Sequence, residues 1–231
     1  TGNCLYQERI LLYMNYDSVP LRDFKELNDW ETVIFVYQSA LKQVETKIDI
    51  LNGEFQHRHK YNPIEHVKSR IKTPESIVKK LKRHGYESSI ENMVRYVNDI
   101  AGIRISCSFT SDIYLIADMI SKQNDLTILA RRDYMKNPKK SGYRSYHMLV
   151  TTPVFLSDSI IDTKVEIQIR TVAQDFWATL EHKMHYKFEG DGPDYITKEL
   201  RECARYVAEL DTRMEELNNE IQKYGKLSDK K

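Results

Sequence analysis

Alternating apolar and polar residues predict a sheet in the middle of the chain. In the segment TKVEIQIRT, residues 163–171, three aliphatic residues alternate with Glu166, Gln168 and Arg170. Such alternation is typical of a strand with one face in the core. Four more strands are predicted, at residues 64–72, 102–109, 126–134 and 144–155. The last of these is separated from 163–171 by a short connection, which predicts an antiparallel pair.

Helical spacing dominates the two ends of the chain. Apolar residues recur every three or four positions from Trp30 to Leu51 and again from Leu200 to Tyr224. Such a stripe packs a helix on its own domain or pairs helices between subunits, and the spacing alone leaves both uses open. Residues 54–63 are predicted as a polar connector. Shorter helices are predicted at residues 73–85, 89–97, 111–123 and 172–188.

The order of these elements predicts one α+β domain. Its sheet is predicted to be mixed and mainly antiparallel, with helices on one face and long helices at the N- and C-terminal ends. Residues 1–59 and 191–231 form the flanking helices in this prediction, around a core of residues 60–190. Thr73 and Ser111 are the predicted N-caps of two of the shorter helices.

Composition narrows the class of protein. Of 231 residues, 41% are hydrophobic, which supports a packed core. Lys and Arg number 35 against 34 Asp and Glu, so the overall charge predicts neither nucleic-acid nor membrane binding. No run approaches the roughly 18 apolar residues of a membrane helix. Three widely spaced cysteines, Cys4, Cys107 and Cys203, suit a reducing cytosol.

One face of the predicted sheet is polar. If helices cover the apolar face, the other face collects Arg104, His147, Glu166, Gln168 and Arg170. Exposed sheet faces often carry charges. A wetted surface and the floor of a binding site both explain the pattern.

Basic residues surround a glycine in the loop before residues 144–155. In NPKKSGYRS, Lys139, Lys140 and Arg144 flank Gly142. Lysine and arginine neutralise phosphate, and glycine lets the backbone approach a ligand. A hairpin loop kept soluble by lysines is the alternative. Neither G-x-x-x-x-G-K-[ST] nor G-x-G-x-x-G occurs in the sequence.

Two carboxylates are candidates for a metal site. Asp99 precedes a predicted strand and Glu166 lies within one. Mg²⁺ is usually held by one or two carboxylates with waters and substrate phosphates. Asp99 at the end of a helix is the alternative. Arg70 and Lys72 form an anion site if they face the same pocket as Arg104.

Two histidine pairs are weaker metal candidates. His182 and His185 lie on a predicted helix beside Glu181, and His57 and His59 lie in the predicted connector. Neither an H-E-x-x-H motif nor a nearby cysteine pair accompanies them, which favours surface positions.

Four segments, in order, resemble the synthetase domain of RelA/SpoT-type (p)ppGpp synthetases: SRIKTPESI, NDIAGIRI, RRDYMKNPKKSGYRSYH and VEIQIRT. The short chain with flanking helices looks like a small alarmone synthetase close to the RelP branch. The resemblance implies a nucleotidyltransferase-like sheet. It also implies transfer of pyrophosphate from ATP to the 3′-hydroxyl of GDP or GTP, with release of AMP. Synthesis without hydrolysis is expected, because the chain has no room for the hydrolase domain of long relatives and no His-Asp motif.

The resemblance also implies roles for individual residues. Asp99 and Glu166 would be catalytic and hold Mg²⁺, and Glu166 would help to deprotonate the 3′-hydroxyl. The implied ATP-binding residues are Arg70, Lys72, Lys80 and Arg104, with the two arginines flanking adenine. The implied GDP- or GTP-binding residues are Lys139, Tyr143, Arg144, His147 and Gln168, with Tyr143 stacked on guanine.

Assembly and location follow from the same resemblance. Small members of the family are typically homotetramers built through their flanking helices, which gives both apolar stripes a use. A cytoplasmic location is expected, with no membrane contact and no requirement for the ribosome. The basic segment ARRDY lies where long relatives carry a motif linked to metal preference, and its role stays open.

Two other functions remain as hypotheses. One is the same transfer to another acceptor, an adenine nucleotide or the 3′ end of tRNA. The other is an inactive nucleotide- or RNA-binding regulator on the same scaffold. The presence of both Asp99 and Glu166 argues against the inactive regulator.

Overall fold

The computed structural model describes residues 29–59, 61–187 and 194–228. Predictions for residues 1–28 therefore lie outside the described residues. Within these ranges the strands are β1 (Ile64–Ile71), β2 (Ala101–Cys107), β3 (Thr127–Asp133), β4 (Tyr146–Phe155) and β5 (Ile160–Thr171). The helices are α1 (Trp30–His59), α2 (Pro74–Arg83), α3 (Ile90–Tyr96), α4 (Thr110–Ser121), α5 (Val172–Lys187) and α6 (Asp194–Ser228).

The five strands form one sheet in the order β1-β2-β5-β4-β3. β2 and β5 run parallel, and the other neighbouring pairs are antiparallel, including the predicted pair β4 and β5. The α+β class with a mixed, mainly antiparallel sheet is therefore confirmed. Because β2 lies directly beside β5, residues distant in sequence become neighbours: Arg104 lies opposite Gln168, and Gly102 lies opposite Glu166.

The apolar face of the sheet is covered by α1 and α4. Val36, Val44 and Ile48 of α1 are buried with Ile113 of α4 and Ile167 of β5 in one core cluster. Each buried aliphatic side chain contributes roughly 1.5–3 kcal/mol relative to an exposed one. The apolar stripe of α1 therefore packs this helix on its own sheet.

The polar face is partly covered as well, which the sequence did not predict. α5 begins directly after β5, and its Asp175 reaches Arg104 and Arg170 on the polar face. α6 packs against α5, where the Trp177 indole N–H donates to the Leu200 carbonyl at 2.9 Å. The prediction that helices lie on only one face of the sheet was therefore incomplete.

Two predicted boundaries were wrong. α1 continues through His59, so residues 54–59 are helical rather than a connector. α4 begins at Thr110 rather than after a Ser111 cap, because the Asp112 carboxylate accepts a hydrogen bond from the Phe109 N–H at 3.1 Å. Phe109 is the N-cap residue, and the Ser111 N–H of the first turn donates instead to Oε1 of Glu215 at 3.0 Å, so no hydroxyl cap is required. The Thr73 cap is confirmed.

The apolar stripe of α6 remains exposed. Leu210, Met214, Leu217 and Ile221 are 47–67% exposed. The side of α6 that faces the rest of the chain carries Ala204 and Asp211 instead. In the part of the chain that the structure describes, no helix has the length and apolar character to cross a membrane.

Candidate active site

Three polar side chains of β5 form a hydrogen-bonded row. Nη2 of Arg170 donates to Oε1 of Gln168 at 3.2 Å, and Nε2 of Gln168 donates to Oε2 of Glu166 at 2.9 Å. Arginine only donates and a carboxylate only accepts, so a glutamine, which does both, links them. Arg170 and Gln168, at alternate positions of β5, therefore hold the Glu166 carboxylate in place.

Asp99 lies between α3 and β2 and pairs with two lysines. Its Oδ2 is 2.9 Å from Nζ of Lys72, and its Oδ1 is 2.7 Å from Nζ of Lys80. Burial alone would raise the pKa of Asp99, but the ammonium groups of Lys80 and Lys72 lower this pKa to about 2. Asp99 is therefore ionised at neutral pH, and the two lysines lie close to any anion that approaches it.

Asp99 and Glu166 line one cavity of about 200 Å³, which we call the carboxylate cavity. The strand register brings its lining residues together, because Arg70 of β1 lies opposite Gly102 of β2, and Gly102 lies opposite Glu166 of β5. A Cβ at Gly102 would meet no atom within 4 Å, so this position leaves open space between the neighbouring side chains. The predicted residues that line the cavity are Arg70, Asp99, Arg104, Glu166 and Gln168.

His147 of β4 connects Glu166 to Tyr143. Its Nδ1 lies 3.6 Å from Oε1 of Glu166, and its Nε2 lies 2.9 Å from the Tyr143 hydroxyl. Burial lowers the pKa of His147, which keeps the imidazole neutral at neutral pH. We assign the proton to Nδ1, which faces the Glu166 carboxylate, because Nε2 can then accept from the Tyr143 hydroxyl.

The Glu166 carboxylate is ionised despite its burial. Burial would raise the pKa of Glu166, but the neighbouring His147 and the Gln168 N–H lower this pKa overall. The nearby charge of Asp99 acts in the opposite direction. Two ionised carboxylates therefore share the carboxylate cavity, and each has donors around it.

The loop of residues 134–145 brings Tyr143 and Lys139 to His147. Gly142 has a φ of +93°, and a Cβ there would lie 2.5 Å from Cβ of Ala204, so glycine permits the close approach of this loop to α6. Nζ of Lys139 lies 4.8 Å from the centroid of the Tyr143 ring. A base that stacks on this ring face would compete with the lysine ammonium.

Arg144 does not line the carboxylate cavity. Its Nη1 donates to the Met135 carbonyl at 2.6 Å, and its side chain lines a separate cavity against α6. Its predicted contact with the acceptor nucleotide gains no support from this position.

The predicted histidine pairs do not form a metal centre among the described residues. His57 and His59 lie in the last turn of α1, and His182 is exposed on α5, while the side chain of His185 lies outside the described residues. Across the described ranges, no three His, Cys, Asp or Glu side chains are grouped to hold a metal.

Asp175 is a site residue that sequence analysis missed. Its Oδ1 lies 3.4 Å from Nη1 of Arg104 and 3.4 Å from Nε of Arg170. Asp175 therefore joins one side of the carboxylate cavity to the hydrogen-bonded row of β5. The sequence feature that could have identified Asp175 is its position in the first turn of the helix that follows β5.

Lys164 is a second missed residue. It is 5% exposed, and its Nζ donates to Oδ1 of Asn98 at 2.8 Å and to the Arg95 carbonyl at 3.2 Å. Burial lowers the pKa of Lys164 to about 8. Lys164 thus tethers the turn that carries Asp99. Its position two residues before Glu166, on the same strand face, was the signal.

The carboxylate cavity fits a metal bound together with a nucleotide. Asp99 and Glu166 supply two ionised oxygen ligands of the kind that Mg²⁺ prefers. Magnesium sites commonly complete their coordination with water and substrate phosphates, so two protein carboxylates suffice.

Comparison with known proteins identifies the family. The family model described as "Region found in RelA / SpoT proteins" matches residues 69–191, from the end of β1 to beyond α5. The chain belongs to this RelA/SpoT family.

Individual relatives agree with this assignment. The chain is 45% identical to the GTP pyrophosphokinase YwaC of Bacillus subtilis, over 84% of this chain and 93% of that protein. The structure of small alarmone synthetase 1 from Bacillus subtilis bound to its product pppGpp matches with 34% identity and a TM-score of 0.78, over 84% of this chain and 98% of that one. The same synthetase bound to AMPCPP matches with 32% identity and a TM-score of 0.72, over 84% of this chain and 98% of that one.

Proposed function

We propose that this chain transfers pyrophosphate from ATP to the 3′-hydroxyl of GDP or GTP, releases AMP and forms (p)ppGpp. The observation that carries the proposal is the convergence of two ionised carboxylates, Asp99 and Glu166, with Arg70 and Arg104 on one cavity. The similarity to a GTP pyrophosphokinase, and to a synthetase solved with pppGpp and with AMPCPP, supports the same reaction.

The proposed reaction is a single displacement at phosphorus. The 3′-oxygen of the acceptor bonds to the β-phosphorus of ATP, and the bond from this phosphorus to the α–β bridging oxygen breaks. That oxygen leaves with AMP, and the 3′-hydroxyl proton passes to Glu166. Transfer of this kind depends on alignment and charge stabilisation more than on covalent catalysis. Lys72 and Lys80, already beside Asp99, neutralise phosphate charge.

The two nucleotides occupy opposite sides of Glu166 in this proposal. On the β1–β2 side, Arg70 and Arg104 flank the adenine of ATP. The acceptor lies on the β4 side, where Tyr143 stacks on guanine. The side chains proposed to contact the acceptor are Lys139, Tyr143, His147 and Gln168.

Asp99 and Glu166 are the proposed Mg²⁺ ligands. The ion, when bound, neutralises charge on the transferred phosphates. The synthesis-only activity, the cytoplasmic location and the independence from the ribosome remain predictions of the family resemblance.

The direct test uses purified protein with Mg²⁺, γ-labelled ATP and either GDP or GTP, resolved by anion exchange. The expected result is a labelled guanosine product with two more phosphates than the acceptor, and one AMP per product. Excess EDTA is expected to reduce turnover to background, and added Mg²⁺ to restore it. AMP formation without a labelled guanosine product would point to another acceptor, which product mass identifies.

The exposed stripe of α6 is the proposed contact between subunits of a homotetramer. Leu210, Met214, Leu217 and Ile221 share one helix face and are exposed. Burial of such side chains against a second copy gains about 25 cal/mol per Å² of apolar surface.

We expect the double substitution Leu210→Glu and Met214→Glu to reduce the oligomer to smaller species, measured by light scattering after size exclusion. Charges placed in an apolar contact lose solvation without gaining a partner. Asn219→Glu, at an exposed position of the same helix, is the matched control and is expected to keep the wild-type mass. An unchanged mass in the double variant would contradict the role of this stripe.

A further inference from the structure

A second cavity, of about 550 Å³, lies between the loop of residues 134–145, α4, α5 and α6. We call it the α6 cavity. It shares no lining residue with the carboxylate cavity. Its volume falls in the range of about 300–1,000 Å³ that is typical of small-molecule sites.

The α6 cavity has an excess of positive charge. Four basic residues line it, Lys136, Arg144, Arg201 and Arg205, against the two acidic residues Glu209 and Asp211. Arg205 already pairs with Glu209 at 2.5 Å and with Glu202 at 3.0 Å. Arg201 makes no ion pair within the described ranges. The remaining positive charge favours an anionic ligand.

A buried glutamine, Gln174, also lines this cavity. Gln174 is 1% exposed, and its Nε2 donates to Oδ2 of Asp211 at 2.9 Å. A carboxylate only accepts, so this contact fixes which end of the amide is the oxygen. Among the described residues, Oε1 of Gln174 has no hydrogen-bond partner. This oxygen is buried within the protein, so a ligand in the cavity could reach it only after the Gln174 side chain turns.

The aromatic ring in the lining of this cavity already contacts a lysine. Tyr114 is the aromatic residue of this cavity, and Nζ of Lys136 lies 5.3 Å from the centroid of its ring. Tyr146 makes an edge contact with the same ring at 5.8 Å. A nucleobase that stacks on Tyr114 would compete with Lys136, as a base on Tyr143 competes with Lys139, so this ring does not distinguish ligands with a base from ligands without one.

We propose that the α6 cavity binds a small phosphate-bearing ligand, whose phosphate contacts Arg144 and Arg201. Guanidinium groups bind phosphate with charge-assisted hydrogen bonds. Gln174 neighbours Asp175 in sequence, and Gly142 neighbours Tyr143, so an occupied cavity contacts elements that also carry active-site residues. The proposal does not rest on the proposed synthetase activity.

Equilibrium dialysis of the full chain with labelled ribose 5-phosphate tests the proposal without turnover. Wild-type protein is expected to bind one equivalent per chain. Arg201→Glu is expected to weaken binding at least about tenfold, because a phosphate contact becomes a repulsion. Arg213→Glu carries the same charge change on the same helix, at an exposed position outside the cavity, and is expected to match wild type.

The Lys72→Ala variant tests whether ribose 5-phosphate binds in the α6 cavity or in the carboxylate cavity. Because Lys72 pairs with Asp99, its removal is expected to leave ribose 5-phosphate binding unchanged. No saturable binding, equal binding by Arg201→Glu and wild type, or loss of binding in Lys72→Ala would each overturn the proposal. Circular dichroism melting of all three variants confirms that they fold.

Discussion

Replacing Glu166 with glutamine is expected to abolish pyrophosphate transfer while the fold is kept. Glutamine has nearly the same volume and still accepts the hydrogen bond from Gln168, but it loses the charge proposed to hold Mg²⁺ and to take the 3′-hydroxyl proton. We expect kcat to fall at least roughly 1,000-fold, a typical loss when a metal ligand that is also a base is removed. Labelled-ATP turnover measures the loss, and thermal unfolding measures the fold.

Glu216→Gln is the matched control for this substitution. Glu216 is exposed on α6, far in sequence from the carboxylate cavity, and the same charge is removed there. Its turnover is expected to equal that of the wild type. If Glu166→Gln keeps near-normal turnover, the assignment of Glu166 as metal ligand and base is wrong.

Replacing Asp175 with asparagine is expected to destabilise the protein and to slow the reaction. Arg170 is 2% exposed and would keep a buried charge without its carboxylate partner. Breaking a buried ion pair in this way costs about 3 kcal/mol in the free energy of unfolding. Arg104 and the hydrogen-bonded row of β5 would both lose an anchor, so kcat/KM is expected to fall roughly 10- to 100-fold.

Asp118→Asn is the matched control, because the same substitution there breaks an exposed ion pair instead of a buried one. Asp118 pairs with Lys122 one helical turn away, and both side chains are more than half exposed. Exposed pairs of this kind contribute about 0.5 kcal/mol or less, so chemical denaturation is expected to find little change. Equal stability of Asp175→Asn and Asp118→Asn would contradict the role given to Asp175.

Much of the fold followed from local sequence signals. The alternation in β5 and the spacing in α1 each record a single apolar face, so the five strands and the main helices were predicted near their observed positions. The predicted helix boundaries were wrong where contacts from distant residues decide where a helix begins or ends. The start of α4 depends on Asp112, which bonds the Phe109 N–H, and on Glu215, which bonds the Ser111 N–H from a position distant in sequence.

The candidate site was predicted only in part. The polar residues of β5 were found from strand alternation, and Asp99 was found as a carboxylate that precedes a predicted strand. The resemblance to a known family added their individual roles. Asp175 and Lys164 were missed, since an aspartate on a helix and a lysine on a strand are common at the surface. Their importance comes from burial and from partners such as Arg104 and Asn98, which are distant in sequence.

The sequence by itself determined the α+β class, the family and the row of polar residues on β5, because strand alternation and ordered motifs are local properties. Only the tertiary structure decided that β2 pairs with β5, which places Arg104 beside Gln168. It also decided that the stripe of α1 is core whereas the stripe of α6 is exposed. The two stripes have the same spacing, and what differs is the surface that each helix meets, which spacing does not encode.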